Sequence, residues 1–598
     1  MKKIIKKTTL LLIVYLVLAL NIDGGPLAGT IGPRLEAVLS TLEPGDDVAV
    51  IITLSDQLDP KLFRDKNKKQ RRIKLIKALK SKAEASQKEL EAFLKGEKAR
   101  RLISFWIFNG AAAIVPAGRV NALAQQPGVA SVKLDAAVNA PEPTPAASAT
   151  PEWNIDLVNA PALWDLGYTG SNIVVAAMDT GADIGHADLG PRWRGGANSW
   201  FDPNGEHSTP YDKTGHGTQV MGVILGGDAT GTSIGVAPGA HWIAVKIFDD
   251  AGVAEYSDIH AGFQWLLDPD GDSSTDDAPD AVNASWGYPD LVGQCFTEFQ
   301  PDVQALKAAG IAVVFSAGNS GPAYDTSESP ANYAESMSVG ALDDTRTTAW
   351  FSSRGPSACD DGVYPRVSAP GVNVKTADLT FGGVYDTAQA WVSGTSIAAP
   401  HITGAAALLM DAFPGASLSE IEGALMATAV DLGIPGADDE SGYGVVDLLA
   451  AYSFLDQSQI PCVDDDGDGF YDTADCGSAT DCDDGNPSVY PGAPEEKHDA
   501  IDQDCNGFDL TIEIIEAVYT IDSDKLSVEA TSNLGSAAAL ELSGFGPMKW
   551  DRKKAKWTVS IRNADGDPGL VTVSGIEGST NSVTIQESGG GKGKSKKN

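Results

Sequence analysis

Three side chains far apart in the sequence have the types needed to open an acyl bond. Asp179 closes the apolar run VVAAM, His216 lies in GHGTQVMG, and Ser396 lies in SGTSIAAPH. A serine hydroxyl is a poor nucleophile at neutral pH until a base takes its proton, and imidazole has the pKa for that exchange. A buried carboxylate would fix the imidazole tautomer and stabilise the cation that forms. Asn319, in FSAGNSGP, could place its amide beside the backbone N–H of Ser396 and so complete an oxyanion site. Taken alone, Ser396 reads rather as a helix cap, since a hydroxyl there can accept from an early backbone N–H and capping serines far outnumber nucleophiles. The glycines on both sides of His216 would let a substrate backbone pass close by.

These residues must be held by elements that bring them together. SNIVVAAMDTG, HWIAVKIF and IAVVFSAGN read as apolar strands, and HAGFQWLL and DVQALKAA as the helices between them. The alternation predicts an α/β unit with a mostly parallel central sheet covered by helices, in which chemistry collects at the carboxyl ends of the strands.

The chain of 598 residues is too long for one core. Its formal net charge of −37 argues against nucleic acid as a partner and suits cation binding or solubility outside the cell. MKKIIKK followed by TTLLLIVYLVLAL reads as a signal peptide over residues 1–20, so a secreted, extracellular or periplasmic protein is expected, with no stable membrane association after cleavage. Residues 30–139 carry strand, long basic helix, a strand pair around Asn109-Gly110, short helix and strand, in the order of a split βαβ fold. APEPTPAASATPE makes residues 140–152 a linker.

DTG, GHGT, SAGNSGP and SGTSIAAPH, in the order Asp, His, Ser, resemble the four signature segments of the subtilisin-like serine proteases over residues 153–457. DPDGDSSTDDAPDAVNASWG and FSSRGPSACDDGVYPRVSAPGVNVKTADLTFGG are more similar to the bacillopeptidase F branch of that family. The resemblance implies Ser396 as nucleophile, His216 as base, Asp179 as its orienting acid and Asn319 as oxyanion donor. It implies further that Ser285, Trp286, Gly287, Ser316, Ala317 and Gly318 line the substrate cleft. Glu328 falls near the position where the family closes its primary specificity pocket. An acid there would favour Lys or Arg side chains, but the sequence favours a solvated loop glutamate. His186 matches a family position near the acid and reads as structural; His241, His260 and His401 lack the spacing of a zinc site. Cys295 and Cys359, both in the branch-like segments, are expected to pair.

The same resemblance makes residues 30–139 an inhibitory, folding-assisting propeptide. Its helix is basic, whereas the chain after residue 140 keeps 68 of the 81 acids and 21 of the 44 bases. Opposite charge would speed docking of one part on the other, and lysines that merely solvate a helix are an equally good reading.

Residues 458–510 turn acidic and Cys-rich. Asp464, Asp466, Asp468, Asp472 and Asp475 fall at positions of a calcium loop, and Asp502, Asp504, Asn506 and Glu513 repeat part of the pattern. Carboxylates this dense repel unless a hard cation holds them, so structural calcium is the expected cofactor. The segment resembles the Asp- and Cys-rich metal-binding repeat of bacterial secreted proteins, and its four cysteines, Cys462, Cys476, Cys482 and Cys505, permit three pairings. Residues 511–585 show six short β runs suggesting a small sandwich, and 586–598 a disordered basic tail. The expectation is a monomeric secreted serine endopeptidase, made as a self-processing zymogen, acting on proteins or peptides. A calcium-dependent surface-binding scaffold is the alternative. An esterase is disfavoured because the order along the chain is Asp, His, Ser and not Ser, Asp, His.

Overall fold

The computed structural model describes residues 29–64, 67–141, 144–145, 153–229, 232–383 and 388–458, scattered positions between 470 and 505, and most of 512–588. The expected signal peptide, most of the linker, the chain beyond 588 and nearly all of the acidic repeat lie outside the described residues. The chain divides into two compact units, one ending at Leu455 and the other beginning at Asp456.

The sheet at the centre of the first unit has seven strands, and every pairing in it is parallel. Across the sheet the strands run Val367–Pro370, Met337–Leu342, Ala312–Ser316, Ala281–Ala284, Val174–Asp179, His241–Lys246 and Trp200–Phe201. Their short apolar runs are those of strands buried on both faces. One face packs on the helices His216–Leu225 and Thr395–Ala412 through Val220, Ile224, Ala405 and Leu408. The other packs on Tyr256–Leu267 and Gln300–Ala308 through Phe263, Leu266, Val303 and Leu306. After Val174–Asp179 the chain adds His241–Lys246 on one side, then returns to place Ala281–Ala284 on the other. The crevice at that reversal, at the carboxyl end of Val174–Asp179, is where an open α/β sheet offers a site.

The front segment folds as the split βαβ order predicts. Strand Asp47–Leu54 lies between Gly110–Pro116 and Val129–Leu134, with Arg100–Phe105 outside Gly110–Pro116 and all three pairings antiparallel. It sits directly on the α/β body. Arg72, from the helix Lys68–Ser86, is 3% exposed and gives hydrogen bonds to the carbonyls of Ala309 (3.0 Å), Ala278 (3.3 Å) and Pro279 (2.8 Å) and to Asp276 (3.1 Å). Ala309 caps the helix Gln300–Ala308, so the guanidinium meets the negative end of a helix dipole. Lys68 pairs with Asp280, Lys80 with Asp268, Arg101 with Asp258, and Lys133 with Glu298. The basic helix is therefore spent on the acids of the body, not on solvent alone. Residues Ala137–Asn139 then run antiparallel to Val253–Glu255, and Thr144–Pro145 antiparallel to Val392–Ser393. The expectation of an unstructured linker from 140 is corrected at these two residues, whose backbone joins a strand edge.

Cys295 and Cys359 are joined by a disulfide. Cys482 bonds to Cys505, which selects among the pairings that the sequence left open. The second unit contains two β-sheets of five and four strands around Leu526, Val528, Leu540, Leu542 and Val573. All six expected strands are present, with Gly546–Pro547, Lys549–Asp551 and Gln586–Ser588 in addition. Gln586–Ser588 pairs with Val518–Thr520, so the β unit reaches past the expected end at 585.

Candidate active site

Asp179 ends its strand with its carboxyl completely buried, and Oδ1 accepts from the Thr180 amide (2.7 Å) and from His216 Nδ1 (2.8 Å). His216 begins the helix His216–Leu225, after Gly215 at φ +92°. A donating Nδ1 leaves Nε2 as the acceptor, and that atom is buried without a hydrogen-bond partner among the described residues. Burial disfavours the imidazolium, but the field and hydrogen bond of Asp179, with a smaller contribution from Asp212, raise the His216 pKa above the usual value.

Asp212, which the sequence reading missed, holds this arrangement in place. Its Oδ1 accepts from Thr180 Oγ1 (2.9 Å) and the amides of Thr214 (3.1 Å) and Gly215 (2.9 Å), and its Oδ2 from the Thr218 amide (2.9 Å) and Thr218 Oγ1 (2.7 Å). One buried carboxylate thus ties the turn after Asp179 to the first turn of the His216 helix. The signal was present in the spacing of Asp212 from GHGT, a capping acid before a helix start. Gly181 and Gly217 serve the same closeness. A Cβ at Gly181 would overlap the Tyr211 carbonyl oxygen, and one at Gly217 the Gly181 carbonyl oxygen.

Ser396 is the second residue of the helix Thr395–Ala412, 7% exposed. The cap position belongs to Gly394, which has no side chain to cap with, and the first helical amide, that of Thr395, is met by Asn319. Ser396 thus lies inside the helix and not at its cap, and its hydroxyl makes no hydrogen bond with another described residue. Asn319 is exposed, and its Oδ1 accepts from the Thr395 amide (3.0 Å) and Thr395 Oγ1 (2.9 Å). Those bonds fix the amide so that Nδ2 faces the remaining direction. A Cβ at Gly394 would stand 2.8 Å from Ser396 Oγ and 3.8 Å from Asn319 Nδ2, so the hydroxyl and the amide donor border one point that only glycine leaves open.

Pro400, four residues after Ser396, has no N–H for the Ser396 carbonyl. Ser285 Oγ takes that place at 2.7 Å, itself accepting from Asn283 Nδ2 (2.8 Å). Ser285, Trp286 and Gly287 follow the strand Ala281–Ala284; Ser316, Ala317 and Gly318 close and follow the neighbouring Ala312–Ser316. Trp286 is buried, with Nε1 donating to the Met178 carbonyl (3.0 Å), and Ala317 is buried as well. What these segments offer a ligand is therefore backbone. Glu328 is not solvated, contrary to the expectation; it is 4% exposed and lies against Gly318 and Gly287.

His186, expected to be structural, and His401 are both buried and bonded within the chain. His186 Nε2 meets the Ala388 carbonyl at 2.7 Å, and His401 lies between the Ile397 carbonyl (3.0 Å) and Asn154 Nδ2 (2.9 Å), with burial lowering its pKa to about 4. Of the expected metal ligands, Asp464, Asp466, Asp468, Asp472, Asp475, Asp502, Asp504 and Asn506 lie outside the described residues. Glu513 stands exposed on the strand Ile512–Thr520, opposite Thr531, in a sheet and not in a loop. Among the described residues, two other acid groups come close, Glu206 with His207 and Asp250, and Asp268 with Asp270 and Asp277. Each faces a lysine of the chain, Lys246 at 3.3 Å from Asp250 and Lys80 on Asp268.

Comparison with known proteins follows the same division of the chain. The family model described as "Subtilase family" matches residues 170–444, and one described as "Putative metal-binding motif" matches residues 481–509. Bacillopeptidase F of Bacillus subtilis (strain 168) is 35% identical over 433 residues, which are 66% of this chain and 29% of that protein. The chain thus spans less than a third of that relative's length. Subtilisin E of the same organism is 35% identical over 360 residues, 60% of this chain and 84% of that protein. Subtilisin of Bacillus pumilus is 35% identical over 302 residues, 50% of this chain and 98% of that protein. With its parallel sheet, its Asp179–His216 pair and the relatives it covers almost end to end, the chain belongs to the subtilase family of peptidases.

Proposed function

We propose that the chain is a secreted serine endopeptidase, made as a self-processing zymogen and acting as a monomer on proteins or peptides. The observation that carries this reading is the Asp179–His216 pair with an unused Nε2, on a helix packed against the one that presents Ser396. In the proposed mechanism His216 Nε2 takes the Ser396 hydroxyl proton as Oγ attacks a peptide carbonyl. Asp179 holds the Nδ1 proton and stabilises the imidazolium. Asn319 Nδ2 and the Ser396 N–H hold the oxyanion. The imidazolium then gives its proton to the leaving amine, and water, activated by the same His216, releases the acyl group. The backbones of Ser285–Gly287 and Ser316–Gly318 would pair with an extended substrate.

Residues 30–139 would be the inhibitory segment. In support, Ala137–Asn139 lies as an added strand on Val253–Glu255, and Thr144–Pro145 on Val392–Ser393, three residues from Ser396. We place the processed bond between Asn139 and Thr144. Calcium is proposed for the acidic repeat because its donors are hard oxygens, which suit calcium better than copper, the metal named in the label of the matching motif model. When bound, it would neutralise the carboxylates of Asp464, Asp466, Asp468, Asp472 and Asp475. Calorimetry on the Ser396→Ala chain should show calcium uptake that Asp464→Asn/Asp466→Asn/Asp468→Asn weakens; unchanged uptake would remove these residues from that role.

The zymogen reading is tested by the intact mass of the wild-type chain beside Ser396→Ala after folding in calcium. Loss of about the first 140 residues from the wild type alone supports it, together with casein cleavage. Two full-length, inert chains would favour the surface-binding scaffold.

A further inference from the structure

The acid that sequence reading left to solvent is the most unusual group near the candidate site. Glu328 is buried, burial raises its pKa, and no Lys, Arg or His among the described residues forms an ion pair with it. A buried carboxyl without a counter-ion is costly and is not kept for stability. Its Oε1 accepts from Ser320 Oγ (2.7 Å) and Ser353 Oγ (3.4 Å), while Oε2 takes no hydrogen bond from any described residue. A carboxylate can accept about four, so half of its capacity is unused.

Its location is set by its neighbours. Gly318 and Ser320, which flank Asn319 in the chain, both touch the Glu328 carboxyl. A Cβ on Gly318 would overlap Oε1 and stand 2.9 Å from Oε2, and one on Gly287 would stand 3.3 Å from Oε2. Only glycine at 318 leaves this face of the carboxyl uncovered. Gly318 is held to the Ser396 helix by its amide bond to Thr395 Oγ1 (3.1 Å), and the segment ending in Gly287 is held there by Ser285. The carboxyl thus lies between the two backbone segments that converge on Ser396 and Asn319. Its position is itself fixed: the Glu328 amide donates to Tyr364 Oη (3.3 Å), and that hydroxyl donates to the Ala317 carbonyl.

The side chain on the acyl side of a peptide whose carbonyl oxygen sits between Asn319 Nδ2 and the Ser396 N–H would have a path past Gly318, the residue before Asn319, and Gly287. At the end of that path is an unpaired acid. We propose that Glu328 determines specificity by pairing with a Lys or Arg side chain on the acyl side of the cleaved bond, so that the natural substrates are basic-residue-containing proteins cut after Lys or Arg. This rests on the peptidase reading above. The four-carbon stem of lysine would bury along the two glycines while its ammonium supplies the missing counter-charge.

The experiment uses the full chain, matured in calcium, and peptide p-nitroanilides that share one sequence and end in Lys, Arg, Phe or Glu. The proposal expects kcat/KM for Lys and Arg at least tenfold above Phe, and a further large drop for Glu. Glu328→Gln should shrink the ratio of Lys to Phe at least tenfold. Equal rates for Phe and Lys in the wild type, or a ratio that Glu328→Gln leaves unchanged, would overturn the assignment while leaving the peptidase reading intact. Failure to cleave any of the four, with casein also untouched, would overturn both readings. If the variant does not fold, the cut sites that the wild type leaves in denatured casein decide the matter: clustering after Lys and Arg supports the proposal, and cuts after large apolar residues refute it.

Discussion

Removing the hydroxyl of Ser285 should strip the Ser396 carbonyl of its donor, because Pro400 cannot supply one. The carbonyl is in a buried helix, and its bond from Ser285 Oγ measures 2.7 Å. A buried acceptor left unmatched costs about 1–3 kcal/mol. At roughly 2–4 °C per kcal/mol for a body of a few hundred residues, Ser285→Ala should lower the thermal midpoint by several degrees. The measurement is calorimetric scanning at one fixed rate, in the Ser396→Ala background, where self-digestion cannot intervene. Pro400→Ala restores an N–H four residues along, which can close the ordinary helical bond to the same carbonyl. In that second background Ser285→Ala should cost less than half as much, a coupling of about 1 kcal/mol. Equal costs with and without Pro400 would show that Ser285 stabilises by some other route, and the argument from the proline would fail.

Asn319→Ala should lower kcat on the order of a hundredfold with little change in KM, since the amide meets charge that exists only in the transition state; steady-state hydrolysis checks this, and an unchanged kcat removes Asn319 from the oxyanion role. The raised His216 pKa places the acid limb of kcat/KM above about 6.5, with activity growing as pH rises through it. Asp212→Asn withdraws a negative charge that favours the imidazolium, so the limb should move to lower pH; a limb that stays or moves up contradicts the electrostatics. His260, raised to about 9 by Asp302 and Glu298 against the effect of burial, contributes stability that is fully present below about 6.5 and lost as pH rises through 9. The thermal midpoint of the Ser396→Ala chain should fall across that window, and His260→Gln should flatten the fall.

Much of this architecture was legible because one physical rule governs each part. Strands buried on both faces must be apolar and short, and VVAAM, WIAV and AVVF could be little else. Asp179 ends one such run and Asn319 stands just past another, at the carboxyl edge of the sheet where a site forms. What could not be read were effects of three-dimensional approach. Glu328 lies within a polar run, YDTSES, and nothing in that composition reveals that Gly318 and Gly287, 10 and 41 positions away, border its carboxyl. The charge of the Lys68–Ser86 helix suited docking on the acidic body and a solvated face alike, and only the insertion of Arg72 among the carbonyls of Ala278, Pro279 and Ala309 separates the two. Asp212 was overlooked because a carboxylate with five hydrogen bonds has the same letter as one with none.

The most direct test of the account is where an acylating or phosphonylating reagent lands. The matured chain should be treated with a fluorophosphonate and the adduct located by peptide mass analysis. The account predicts one adduct, on Ser396, formed at least a hundredfold faster than in His216→Ala. An adduct on another residue, or equal labelling of Ser396 with and without His216, would contradict the claim that Asp179 and His216 make Ser396 a nucleophile.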